Sequence, residues 1–156
     1  MAQPATPFPL PPPMRRALDL AREAAEAGEV PIGAVVTLDG RIMGEGQNRN
    51  RRDNDPTAHA EIVAIRAAAR AAGDFRLTGH ALWVTLEPCA MCAGAISHAR
   101  IDALYYGASD PKSGGVEHGG RVFAHAQCHH RPDLFPGVGE TEAGAMLRQF
   151  FALRRS

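Results

Sequence analysis

The sequence is poor in cysteine, with three in 156 residues. So small and odd a number cannot build a disulfide framework, and reduced thiols of a cytoplasmic protein are expected. Net charge is missing too: Lys plus Arg and Asp plus Glu both total 17. Global charge therefore argues neither for nor against a nucleic-acid partner, and any such contact must come from a local patch. No segment reaches the ~18 apolar residues of a membrane span, so no membrane partner is expected. The N-terminal "MAQPATPFPLPPPM" has neither a basic start nor a continuous apolar run, and does not read as a secretory signal. What remains is ordinary. At 45% hydrophobic and 22% charged, the chain can build one domain with a real core.

The pattern divides the chain into a Pro-rich, extended or disordered arm over residues 1–13 and a single domain over 14–156. Apolar spacing predicts a helix over Met14–Ala27, stopped by Gly28. "IGAVVTLDGRIMGEGQ" reads as a hairpin around Asp39-Gly40, a favoured type I′ pair. A basic loop, "NRNRRDNDP", leads to a helix that starts near Asp55-Pro56-Thr57 and ends at Gly73. "ALWVTL" suits a central strand and "DALYYGA" another. Ser109–His130 reads as a long loop. Pro132 and Pro136 bracket a weak edge strand at best. A final helix, Thr141–Arg155, presents Ala143, Met146, Leu147, Phe150 and Leu153 on its buried stripe. Such β/α alternation implies a sheet between helices, made mixed by the hairpin.

Two of the three cysteines lie in "TLEPCAMCAGA". Pro88 suits a helix start, so Cys89 and Cys92 are expected one turn apart on one helix face. A helix N-terminus favours the thiolate, the form that binds metal. Zinc needs about four ligands; "PTAHAEI" offers His59, also in a first helical turn, as the third. Three protein ligands with one open position is the pattern of a catalytic zinc site, where zinc lowers the pKa of water to about 7. Glu61 lies about 200° around the helix from His59, so the two converge only on a site over the helix end. A structural zinc clip needs a fourth ligand, and no second C-x-x-C exists.

His59-Ala60-Glu61 followed by Pro88-Cys89-Ala90-Met91-Cys92 is the signature of zinc deaminases acting on nucleobases. With "EVPIGAVV", "GEGQNR", "SHARI", "YYGASDPKSGG" and "RQFFALRR", the chain resembles the bacterial tRNA-specific adenosine deaminases of the cytidine deaminase-like superfamily. The resemblance spans roughly residues 14–155. It implies a three-layer α/β/α sandwich with a five-stranded mixed sheet, one Zn2+ per chain, and a homodimer. It also implies hydrolysis of adenosine to inosine at the wobble position of a tRNA anticodon stem-loop. Glu61 would be the catalytic acid and base, and His59, Cys89 and Cys92 the metal ligands. Substrate contacts would fall to Asn48, Ala60, Glu87, His98, Asp110 and Lys112. Cations for RNA would be Arg49, Arg51 and Arg52 before the His59 helix, and Arg148, Arg154 and Arg155 on the last one.

Two rival functions share the zinc motif. A deaminase of free guanine, cytosine or cytidine is disfavoured by the matches outside the motif. A non-catalytic zinc-containing RNA-binding subunit would not need Glu61. Other features have plainer readings. Cys128-His129-His130 could bind a second metal, but adjacent residues rarely converge on one ion. Gly114, Gly115, Gly119 and Gly120 precede no clear helix and read as loop rather than phosphate cradle. Ala90, Ala93, Gly94 and Ala95 suit close packing, a dimer interface, or both.

Overall fold

The computed structural model of the chain describes residues 9–155, without the side chain of Arg155. Helix α1 spans Pro12–Glu26 and so begins inside the expected arm. Pro12 and Pro13 occupy its first turn, where a missing N–H breaks no helical bond. Residues 1–8 of that arm lie outside the described residues.

Strands β1 (Gly33–Leu38) and β2 (Arg41–Gln47) form the expected hairpin. Asp39 and Gly40 have φ of 49° and 79°, as a type I′ turn demands. Then come α2 (Ala60–Ala72), β3 (Ala81–Leu86), α3 (Ala90–His98), β4 (Ala103–Ala108), β5 (Asp133–Phe135) and α4 (Glu140–Arg155). The sheet order is β2-β1-β3-β4-β5. β1 runs antiparallel to β2 and β3, while β3, β4 and β5 are parallel. The sheet is therefore mixed, and β3 is its centre. Helices α1 and α4 cover one face, α2 and α3 the other, giving the three-layer sandwich. β5 is short, exposed and at the edge.

The larger core lies between the sheet and α2 and α3. Ala60, Ala64 and Ala68 repeat every four residues, so one face of α2 is all methyl. Opposite them β2 places Gly44 and Gly46. A Cβ at Gly46 would run into the Ala60 carbonyl and the Ala64 amide. Small residues on both sides let the helix backbone lie directly on the strand. Gly46→Ala must push α2 outward, and overpacking of this kind costs about 1–3 kcal/mol. Urea unfolding should show a lower midpoint at unchanged slope; an unchanged midpoint would contradict the packing argument.

The last helix departs from its expected stripe. Ala143 is buried, but Met146, Leu147 and Phe150 are half-buried and Leu153 is 70% exposed. α4 rests on β4 and β3, and Arg154 near its end reaches the carbonyl of Gly28, just past α1. Its later apolar residues thus face a cleft rather than the core: Leu147 and Phe151 line it.

Candidate active site

Helices α2 and α3 start side by side, and each start carries metal-ligating chemistry. His59 and Cys89 do not lie within the first helical turns, as the spacing suggests. Each is the N-cap of its helix, with extended backbone (φ/ψ of −73°/154° and −71°/175°). The extended cap residue swings its side chain over the helix mouth, while Cys92 rises from the first turn of α3. His59 Nδ1 lies 3.6 Å from Cys89 Sγ and 3.5 Å from Cys92 Sγ. The three ligand atoms all fall within 4.8 Å of one another. Tetrahedral zinc, with Zn–S about 2.3 Å and Zn–N about 2.0 Å, would hold sulfur and nitrogen about 3.5 Å apart. The donors therefore fit one ion, and two thiols with an imidazole are a set that zinc takes. Both cysteines are free thiols. The hydrogen bond from Cys92 holds the Cys89 thiol down at about 4 and pushes Cys92 up. The His59 ring is raised, chiefly by its bond to Cys89.

Glu61, in the first turn of α2, is 4% exposed and borders the same cleft. It is outside the three-ligand set. Burial pushes its carboxyl up to about 7, and the Cys89 thiolate adds to the push. A carboxyl at such a value can both take and give a proton near neutral pH.

The cleft encloses about 670 Å³. Val30, Ile32 and Leu86 give it apolar walls, and Asn48, Asn50, Asp110 and Lys112 polar ones. Asn48 is nearly buried, and its Oδ1 accepts the Ala60 N–H at 3.0 Å. It thus caps α2 in place of His59, whose side chain makes no capping bond. Ala60 itself is fully buried against β2 and is not among the lining residues. Glu87 does border the cleft, but its carboxylate is buried and turned to the loop after β4. It accepts N–H bonds from Asp110, Val116, Glu117 and His118. Burial raises its carboxyl, yet these bonds and the His118 ring outweigh that and hold it below the usual range.

Other predicted contacts lie elsewhere. His98 sits at the end of α3 in a separate hollow with Ser97, Cys128 and His129. It is not brought to the cleft, because it lies about two turns of helix from Cys92. Arg49 pairs with Asp53 at 3.0 Å. Arg52 is bound inward, to buried Glu29 and to the Asn48 carbonyl. Arg51 and Arg154 border a small hollow beside the cleft with Phe150 and Phe151. Arg148 is exposed on α4, away from the cleft lining, and the side chain of Arg155 is outside the described residues. Cys128 contacts Ser97 and the His130 carbonyl, and His130 pairs with Asp102. Among the described residues no second group of three metal-ligating side chains gathers there. On α3, Ala93 packs into the core, while Ala90 is exposed and Gly94 and Ala95 half-buried.

Sequence reasoning missed the apolar walls from Val30, Ile32, Leu147 and Phe151. It also missed buried Glu29, which accepts the N–H groups of Arg51 and Arg52. An acid written after Gly28 looks like a surface residue until the loop folds back onto it.

A mixed sheet with two helix mouths converging on a His/Cys/Cys triad and a buried acid defines a cytidine deaminase-like protein. The comparisons with known proteins agree. The family model of the MafB19-like deaminases matches residues 12–154, and the chain belongs to that family. It is 57% identical over 142 residues to the tRNA-specific adenosine deaminase of Agrobacterium fabrum, covering 91% of this chain and 93% of the relative. A solved structure from a study of A-to-I editing by tRNA:A34 deaminases superposes with a TM-score of 0.85 at 56% identity, covering 86% of this chain and 98% of the other. Guanine deaminase from Bacillus subtilis superposes with a TM-score of 0.61 at 47% identity, over 62% of each chain.

Proposed function

We propose that the chain is a zinc-dependent hydrolytic deaminase that converts adenosine to inosine at the wobble position of a tRNA anticodon. The observation that carries the reading is the placement of Glu61: buried, beside the His59–Cys89–Cys92 triad, and not one of its ligands. The high identity to tRNA-specific deaminases over nearly the whole chain supports the substrate.

His59, Cys89 and Cys92 would hold zinc. Zinc supplies a Lewis acid and an acidified water. Water and adenosine must become inosine and ammonia, so a proton has to leave the attacking water, one has to reach ring nitrogen N1, and the leaving amino group must be protonated. Glu61 takes the first proton from the water and passes it to N1, then takes the second from the new C6 hydroxyl and gives it to the amino group, which leaves as ammonia while C6 becomes the carbonyl. The apolar walls exclude bulk water from the ring. Asn48 keeps its Nδ2 as the remaining donor group of its amide, because Oδ1 is held by Ala60. Asp110 and Lys112 line the polar side, where ribose and phosphate of the target nucleotide would pass.

The three free thiols suit a reducing, cytoplasmic compartment. The exposed small-residue side of α3 suits a homodimer contact; light scattering that found a fully active monomer would remove that part of the proposal.

The test is deamination of an anticodon stem-loop beside free adenosine, cytidine and guanine. A loop base is already partly unstacked, and flanking phosphates add binding that a nucleoside lacks. The stem-loop should be turned over at least about tenfold faster than free adenosine. That advantage should shrink as salt rises, with a slope of about −0.7 per phosphate contact. Ready turnover of guanine with an inert stem-loop would overturn the tRNA assignment and favour the free-base reading.

A further inference from the structure

The loop after β4 carries four residues of the cleft wall, Ser109, Asp110, Lys112 and Ser113. No strand or helix holds that stretch. The Asp110 carboxylate caps its turn, accepting the Lys112 and Ser113 N–H groups at 3.2 and 3.0 Å, and Glu87 holds the loop from beneath. Glu87 Oε1 accepts the Asp110 N–H at 3.0 Å, and its Oε2 accepts the N–H groups of Val116, Glu117 and His118 at 3.1, 2.9 and 3.1 Å. The ring Nδ1 of His118 lies 2.8 Å from Oε1 and donates to it, since a carboxylate only accepts. Glu87 thereby grips the loop at both ends, at Asp110 and at 116–118. Gly114 lies directly against the carboxylate, where a Cβ would collide with it and with the Asp110 carbonyl. The Gly115 N–H is tied to the Pro88 carbonyl at 2.8 Å, between Glu87 and the first thiol.

We propose that the Glu87 carboxylate is a positioning residue that fixes the polar wall of the cleft and so sets how tightly the substrate strand is held. It touches neither the reacting ring nor the triad in this role; it acts through Asp110 and Lys112. The proposal rests on the tRNA reading above for the identity of the strand.

Glu87→Gln is isosteric and tests the anchor with little change in volume. An amide has one acceptor oxygen in place of two. If that oxygen serves the 116–118 end, the amide nitrogen faces the Asp110 N–H and the His118 ring donor, and that end is released; the flipped amide releases the other. The expected result is normal zinc content, a KM for the stem-loop raised about tenfold or more, and kcat reduced far less. Hydrogen exchange of the Asp110, Val116, Glu117 and His118 amides should accelerate. Gly114→Ala pushes the same loop off the Glu87 carboxylate while leaving that carboxylate chemically intact, and should reproduce the rise in KM. A purely structural role would lower the melting temperature and leave KM unchanged below it. Unchanged KM in both variants despite faster amide exchange would overturn the proposal, as would unchanged exchange in Glu87→Gln. If the wild type deaminated free guanine and not the stem-loop, the tRNA reading alone would fall; the KM for guanine would then take the stem-loop's place in the same comparison, with the same rise supporting the anchor and no rise overturning it.

Discussion

Glu61→Ala is expected to fold, to bind zinc as the wild type does, and to lose about a thousandfold or more in kcat. The loss follows from the number of proton transfers that one carboxyl serves. A positioned general acid or base contributes about 10²–10⁴-fold, and among the described residues no other carboxyl of the cleft lining is free to replace it beside the triad. Asp110 and Glu87 also border the cleft, but Asp110 lies on the loop after β4 and Glu87 is committed to backbone N–H groups. Metal retention follows from the ligand set, which is complete without Glu61. Stability should not fall. A carboxyl buried to this degree is held at a cost, and functional sites commonly carry such costs. Thermal unfolding of the variant should therefore begin no earlier than that of the wild type. Loss of metal with a normal rate per bound ion would make Glu61 a ligand and the mechanism wrong.

Cys92→Ser should abolish turnover and lower stability together. Cys92 is fully buried under the cleft, so no water can easily replace its sulfur. A serine hydroxyl in its place is a poor ligand for zinc. Any ligand bound only by the folded state stabilises it, by about 4 kcal/mol at a thousandfold excess over its Kd. For a chain of this size that is roughly 10 °C in Tm. The fold has a core on each side of its sheet, so the variant should still unfold cooperatively rather than be unfolded at the outset. Chelation of the wild type should produce the same drop, and added zinc should reverse it. A Tm unmoved by chelation, with activity intact, would contradict a metal at this site.

Much of this is legible in the sequence because it is written in spacing. The turn pair Asp39-Gly40 fixes the hairpin through its positive φ angles. His59-x-Glu61 and Cys89-x-x-Cys92 place four functional groups at two helix starts, and the loop or strand before each start can be read from composition. Spacing does not reveal whether a residue caps a helix or enters it, and His59 and Cys89 fall on the capping side of that boundary. Pro12 and Pro13 read as part of an arm because proline is a breaker; in a first turn it is not one. The face of α4 misleads for another reason. Periodicity shows which residues share a stripe, not whether the sheet extends beneath all of it, and Leu153 lies beyond its support. Glu29 and Glu87 carry no sequence signal as buried acids, since a buried acid differs from an exposed one only in the backbone N–H groups that reach it. The same holds for the predicted cations. Arg49 and Arg52 are engaged with Asp53 and Glu29, and Arg154 with the Gly28 carbonyl and the Phe150 ring, while Arg51 borders the hollow beside the cleft.

The central claim is that one zinc ion at His59, Cys89 and Cys92, worked by Glu61, deaminates adenosine in RNA. Its most direct test is a titration of metal-free protein with zinc, following inosine formation in an anticodon stem-loop by mass. The account predicts no inosine before zinc is added, a linear rise, and a plateau at about one equivalent per chain. Full turnover by the metal-free protein, or an inert stem-loop at every zinc level, would contradict it.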